Sequence, residues 1–260
     1  MEIFGTGHIS DPAGDYWDAA TILTQRNIAS VDLRPHTSKR HNQGQTGSCV
    51  AQAVCKALEI RQRLVQHSQG VDPKLITHTD ISRLHLYFLA REMMNPSRVG
   101  KDEGTHISLA CHVLNRFGVC SERSWPFSPS KVNHAPSWAA MREAAGSKVA
   151  VKDYWRIQSG GNDRVESCLH ALSQGFPVVF GTKVGDQWHG YRGDVPLVVP
   201  KQLGGGHATV LVGWDNRTGV FIGENSWGSG WGKDGFYTMS PDVIASIWSS
   251  DFWIIRGTGE

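Results

Sequence analysis

The chain has 260 residues, 40% of them hydrophobic and 19% charged, enough for a sizeable core in one large domain or two small lobes. Its 26 Lys and Arg against 24 Asp and Glu leave a formal net charge of +2, so nothing in the charge points to nucleic acid or an anionic membrane as a partner. No apolar run reaches the roughly 18 residues of a membrane-spanning helix. Met1 to Ser30 carry Asp11, Asp15 and Asp18 and lack the apolar stretch of a secretory signal, so synthesis in the cytoplasm is expected, with any export by a non-classical route.

Met1 to about Pro35 reads as an irregular arm with Gly5, Gly7, Pro12 and Gly14, and a short helical piece near Tyr16 to Thr24. From Cys49 to His67 the apolar residues Val50, Val54, Leu58 and Leu64-Val65 lie near a 3.6 period, which predicts a helix closed before Gly70. Ile81 to Met94 reads as a second helix, stopped by Asn95-Pro96, and Ser108 to Arg116 as a third, ended by Gly118. Trp125-Pro126-Phe127 and Pro129 then break the helices. Val149 to Ile157 alternates like a strand, and Arg164 to Gln174 reads as a helix closed by Gly175. Val178 to Phe180, Ala208 to Trp214, Val220 to Ile222 and Phe252 to Arg256 read as strands. A helical first half before a β-rich second half predicts an α+β chain, with a site in the cleft between two lobes.

Five cysteines, an odd number without a C-x-x-C pair, argue against a zinc site or a disulfide framework, and no metal or other cofactor is expected. Cys55, Cys111, Cys120 and Cys168 sit among apolar residues and read as buried small hydrophobes. Cys49 differs. It follows Gln43-Gly44-Gln45-Thr46-Gly47-Ser48 and begins a helix, where the macrodipole favours a thiolate. Gln43 can return on the loop to offer a side-chain N–H. His207 opens a strand after Gly204-Gly205-Gly206, glycines that let the backbone approach a cleft closely. Asn225 ends the next strand, past the turn Asp215 to Gly219, so an antiparallel pair would set His207 beside Asn225. Nucleophile, base and orienter are the parts of an acyl-transfer site. His78, His85, His112, His134, His170 and His189 have no ligand spacing and read as surface or core residues.

With these segments on the page, the sequence resembles the papain family of cysteine peptidases, of a short-prosegment bacterial or phage type. Asn225-Ser226-Trp227-Gly228-Ser229-Gly230-Trp231-Gly232 carries the resemblance most strongly. Val31-Asp32-Leu33-Arg34, Asp102-Glu103-Gly104 and Gly235-Phe236-Tyr237 extend it over roughly Val31 to Ile255. The nucleophile loop departs from the papain signature at Thr46, where a half-cystine is usual, and at Val50, where an aromatic is usual. The resemblance implies a papain-like two-lobed α+β fold: an N-terminal arm 1–30, a mainly helical lobe 31–125 with the nucleophile, and a mainly β, barrel-like lobe 126–260 with His and Asn. It implies a thiolate Cys49, imidazolium His207, orienter Asn225 and oxyanion-hole donor Gln43. Trp227 would shield the Asn–His bond, Glu103 and Gly104 would line the substrate groove, and Thr105, His106 and Ala208 would border the side-chain pocket. The implied function is a cysteine endopeptidase on polypeptide substrates, with oligomeric state left open. Acyl transfer, transpeptidation or isopeptide cleavage by the same residues, or an inactive binding module on this scaffold, are the other readings. Papain-family precursors usually carry a long helical prodomain that runs backward through the cleft. The residues before Val31 are too few for that, and are expected to form a short cap or a structural strap.

Overall fold

The computed structural model describes residues 5–10, 18–21, 28–72, 80–146 and 151–257. Seven helices and seven strands are described: α1 (Cys49–Ser68), α2 (Arg83–Met94), α3 (Ile107–Arg116), α4 (Trp138–Gly146), α5 (Gly161–Ser173), α6 (Asp186–His189) and α7 (Pro241–Ala245), with β1 (Val31–Asp32), β2 (Val151–Ile157), β3 (Val178–Lys183), β4 (Gly206–Asp215), β5 (Val220–Glu224), β6 (Phe236–Met239) and β7 (Ser249–Gly257). The strands form one antiparallel sheet ordered β2-β7-β3-β4-β5-β6, with β1 also paired to β4. This is an α+β architecture.

α1 is the central element. Its first twelve residues, Cys49 to Ile60, are all buried, while the rest of the helix is partly or largely exposed. Ala51, Ala53 and Ala57 keep that buried portion slim, so that it packs on β4 on one side and on α2 and α3 on others. The buried charged residues of α1, Lys56 and Glu59, are paired. Lys56 lies 3.2 Å from Glu224 and 3.8 Å from Glu59, and Glu59 accepts from the Ile81 N–H at 3.0 Å. A buried charge left without its partner is costly, so this cluster fixes α1 against the end of β5, one residue before Asn225.

The long periodic segments form where their patterns predict, with ends shifted by a few residues. β2 is described from Val151, so the first residues of the predicted strand lie outside the described set, as does most of the helical piece near Tyr16, of which a 3-10 turn at Ala19–Thr21 is described. β1, β6, α4, α6 and α7 have no counterpart in the sequence reading. Apart from α4, each is five residues or fewer, too short to carry a period, and α4 buries only Ala140 and Ala144.

Candidate active site

The loop that ends in Cys49 is held by hydrogen bonds rather than by a disulfide. All five cysteines are free and buried. Thr46 Oγ1 donates to the Gln43 carbonyl at 2.8 Å and lies 2.8 Å from Ser48 Oγ. Asp102 receives the Gly47 N–H on both carboxylate oxygens, at 2.9 and 3.0 Å, and the Tyr87 hydroxyl at 2.7 Å. Tyr87 in turn accepts the Gly104 N–H at 2.9 Å. Asp102 thus locks the nucleophile loop to the 102–104 loop, 55 residues away in sequence. Nothing local in the sequence marks such a long-range anchor.

β4 and β5 form the expected antiparallel pair, joined by the Asp215–Gly219 turn. His207 Nε2 donates to Asn225 Oδ1 at 2.8 Å, and that oxygen also accepts the Ser226 N–H at 2.8 Å. Two donors on one atom identify it as the amide oxygen, so the proton sits on Nε2 and Nδ1 is left for another partner. The Trp227 ring packs on the imidazole with centroids 4.8 Å apart, and His189 stacks on Trp227 at 5.4 Å. Trp188 meets His207 edge-on, and Trp231 Nε1 donates to the Trp188 carbonyl at 2.7 Å. His189 and Trp188 are therefore part of the shield around His207, a role that no spacing in the sequence announces.

Gln43 stands between the two halves of the site. Its backbone N–H donates to the Ser226 carbonyl at 2.8 Å, and Ser226 Oγ donates to its Oε1 at 2.5 Å. Its Nε2 donates to the Thr46 carbonyl at 2.7 Å and to the Gly5 carbonyl at 3.0 Å. The side chain is fully oriented, and the group that takes its outward N–H belongs to the N-terminal arm.

Gly5 to Ser10 run through the cleft. Gly7 and His8 N–H groups both reach the Gly206 carbonyl at 3.1 Å. Thr105 N–H donates to the Gly7 carbonyl at 3.0 Å, Ile9 N–H to the Thr105 carbonyl at 3.1 Å, and His106 Nδ1 lies 3.0 Å from the Ile9 carbonyl. His8 and Thr105 form a parallel bridge. The close approach demands glycine on both faces. A Cβ on Gly7 would lie 2.0 Å from the Gly47 oxygen, and one on Gly104, whose φ is +84°, would lie 1.9 Å from the Gly7 oxygen. Gly104, Thr105 and His106 therefore line the same channel as the arm. The exposed Glu103 side chain pairs with Arg98, and both line a cavity that Ile9 of the arm also borders.

Burial dominates the electrostatics of the site. Cys49 and His207 are both 0% exposed. Burial pushes the Cys49 thiol up to about 11, although the backbone N–H groups of Ala208 and Gly7 pull the other way. Burial pushes the His207 imidazole down to about 4 against the Asn225 hydrogen bond, and His8 and His189 act in the same direction as burial. Among the described residues His207 Nδ1 has no hydrogen-bond partner. Both shifts run against the thiolate–imidazolium pair that the helix start favours. The reason is physical: with water excluded, the N-terminal field of α1 is smaller than the desolvation cost of the charges.

A model of the papain family cysteine proteases matches residues 28–248. The chain belongs to the papain family of cysteine proteases. Among its relatives is an uncharacterized peptidase C1-like protein of Acanthamoeba polyphaga mimivirus, 34% identical over 264 residues, covering 92% of this chain and 81% of that one. Xylellain, a cysteine protease from Xylella fastidiosa, superposes with a TM-score of 0.79 at 27% identity, covering 98% of this chain and 97% of that one. A Carica candamarcensis cysteine protease solved in complex with E-64 shares the fold at a TM-score of 0.64 and 19% identity, covering 89% and 99%. The papain-like fold is thus common to all three descriptions of the chain: motif, architecture and likeness.

Proposed function

We propose that the chain is a latent cysteine endopeptidase, with Cys49 as nucleophile, His207 as acid and base, Asn225 as orienter and Gln43 as oxyanion donor, kept inactive by its own residues 5–10. The observation that carries this reading is the Gly5 carbonyl on Gln43 Nε2, a carbonyl oxygen held by the donor that a reacting carbonyl would need. With the arm displaced, Cys49 transfers its proton to His207 Nδ1 and its sulfur bonds to the peptide carbonyl carbon. The C–N bond breaks as His207 returns the proton to the leaving amine. Water then attacks the thioester, its proton passes to His207, and the carboxylate product leaves as the thiol reforms. Beyond Trp227 a cavity of about 600 Å³, lined by Lys39, Asn42, His189, Arg192 and Trp231 among others, leaves room for more of an extended peptide.

Latency is tested in the full chain by Gly7→Val. The added side chain would meet Gly47 backbone that cannot retreat, and the arm, anchored by hydrogen bonds along one strand, leaves instead. Overpacking of 1–3 kcal/mol corresponds to a roughly ten- to hundredfold faster alkylation of Cys49 by iodoacetamide, read by intact mass. An unchanged rate in a folded chain would count against the arm as a block.

Docking also carries a pH signature. His207 is depressed from 6.5 to about 4, and in this reading the arm supplies part of that burial, so the open state takes up a proton more readily than the docked state. This contribution to docking is complete above pH 6.5 and is lost as pH falls toward 4. The Cys49 thiol is raised from 9.0 to about 11, so its contribution is complete below pH 9 and is lost above it. Protection of the Gly7 and Thr105 amides from hydrogen exchange, corrected for intrinsic rates, should therefore fall between pH 6.5 and 4. A flat profile would contradict the assignment.

A further inference from the structure

One to two turns along α1 from Cys49, where the helix meets the β4–β5 pair, lies a small cell walled by His41, Gln52, Lys56, Glu224, Asn225 and Ser226 among others, all of them buried. It leaves the centre of a water molecule about 10 Å³ in which to move, room for a single water. Asn225 Nδ2, Gln52 Oε1, Glu224 Oε2 and His41 Nδ1 are buried atoms of these side chains without a hydrogen-bond partner among the described residues. Such atoms are few in a folded chain, and four from the wall of one cell point to a ligand.

The direction of each group follows from its other bonds. Thr46 spends its hydroxyl proton on the Gln43 carbonyl, so at 2.8 Å it accepts the proton of Ser48 Oγ. Ser48 Oγ is then an acceptor, and takes Gln52 Nε2 at 3.2 Å. With its nitrogen used there, Gln52 has its Oε1 left as an acceptor. Asn225 Oδ1 already receives His207 Nε2 and the Ser226 N–H, which leaves its Nδ2 as a donor. Lys56 and Arg40 pair with Glu224 Oε1 at 3.2 and 3.6 Å, which leaves Oε2 as a second acceptor. A cation does not suit a cell that holds an amide N–H and the Lys56 ammonium, and an anion does not suit one that holds the Glu224 carboxylate. A water accepts from Asn225 Nδ2 and donates one proton each to Gln52 Oε1 and Glu224 Oε2.

We infer that this cell seats one ordered water that ties α1 to Asn225, and that Gln52 is a positioning residue of the catalytic site. One chain of hydrogen bonds then runs from the Gln43 carbonyl through Thr46, Ser48, Gln52 and the water to Asn225 and His207. It joins the nucleophile loop to the imidazole without passing through the cleft. The water gives the Asn225 amide nitrogen its acceptor, so the amide has no reason to turn and its oxygen stays on His207. The bond from His207 to that oxygen is strongest when the imidazole is charged, so its support belongs to the chemical step rather than to peptide binding. This catalytic consequence rests on the peptidase reading above, whereas the water site does not.

A crystal structure of the full-length chain, at a resolution that shows ordered water, tests the site without turnover. One density peak within about 3.2 Å of Asn225 Nδ2, Gln52 Oε1 and Glu224 Oε2 is expected. An empty cell, a metal ion in it, or a direct bond from Asn225 Nδ2 to Gln52 or Glu224 would overturn the inference. The positioning role is read in full-length Gly7→Val with Gln52→Met added. That change nearly conserves volume and strands no charge, whereas an apolar residue at Glu224 would leave Lys56 buried without a partner. Turnover per site titrated with an epoxysuccinyl inhibitor should fall roughly two- to tenfold, the range of one hydrogen bond, with KM unchanged. The His207 Nε2 proton, followed by NMR, should exchange with solvent faster, which a loosened nucleophile loop alone would not cause. Unchanged turnover and proton exchange in a folded Gln52→Met chain would make Gln52 a packing residue and overturn its assignment. The water peak in a chain that cleaves no peptide would support the site and count against the peptidase reading instead.

Discussion

Replacing Cys49 with alanine in the arm-released Gly7→Val chain should remove peptide hydrolysis by roughly a millionfold, the order of loss seen when a covalent nucleophile is deleted. The physical basis is placement: of the five cysteines only Cys49 stands at a helix start, whereas Cys55, Cys111 and Cys168 lie within α1, α3 and α5 and Cys120 packs with Ala140 and Ala144. The change itself is small, since a sulfur is exchanged for a hydrogen at the first residue of α1 and the packing of Val50 and Ala51 beyond it is untouched. A melting temperature near that of the parent, with no residual turnover and no adduct with an epoxysuccinyl probe, is the expected set of results. Residual hydrolysis within tenfold of the parent would mean that another group attacks the substrate.

Gln43→Ala should move two readouts in opposite directions. In an arm-released chain it removes a side-chain donor from the developing oxyanion, which typically costs roughly 2.7–4 kcal/mol of barrier, or a hundred- to a thousandfold in turnover. In the full-length chain it removes the same donor from the Gly5 carbonyl, so the arm docks less firmly and Cys49 is alkylated faster. A merely structural Gln43, which also holds Thr46 and Ser226, would lower both turnover and melting temperature without separating them. Gln43→Glu is the control: it can keep the acceptor atom for Ser226 while losing the amide donor, and should reproduce the loss of turnover.

Much of this was legible in the sequence because it is local. Cys49 at a helix start, His207 after three glycines and Asn225 before Ser226-Trp227 each sit at an end of an element with a strong period. The one long-range step, His207 beside Asn225, needed only the two antiparallel strands and the turn between them. What the sequence did not show is held by contacts between distant segments. Asp102 reaches Gly47, Asp251 reaches His8, and His189 stacks on Trp227, and none of these pairs has a spacing to recognise. The electrostatics of the pair are likewise not set locally. The helix start favours a thiolate, but burial of Cys49 and His207 among segments distant in sequence pushes the thiol up and the imidazole down. Glu103 pairs with Arg98 where the two line a cavity with Ile9, another juxtaposition of distant segments.

The central claim is that the cleft beneath residues 5–10 holds a working peptidase. The most direct measurement is mass spectrometry of a peptide library incubated in ¹⁸O-labelled water with full-length Gly7→Val, beside Gly7→Val/Cys49→Ala, with and without an added amine acceptor. The account predicts new carboxylates that carry one ¹⁸O atom from the solvent, all dependent on Cys49 and little changed by the amine. A folded Gly7→Val chain whose Cys49 takes up iodoacetamide readily, yet which leaves every peptide intact or delivers the acyl group only to the amine, would contradict it.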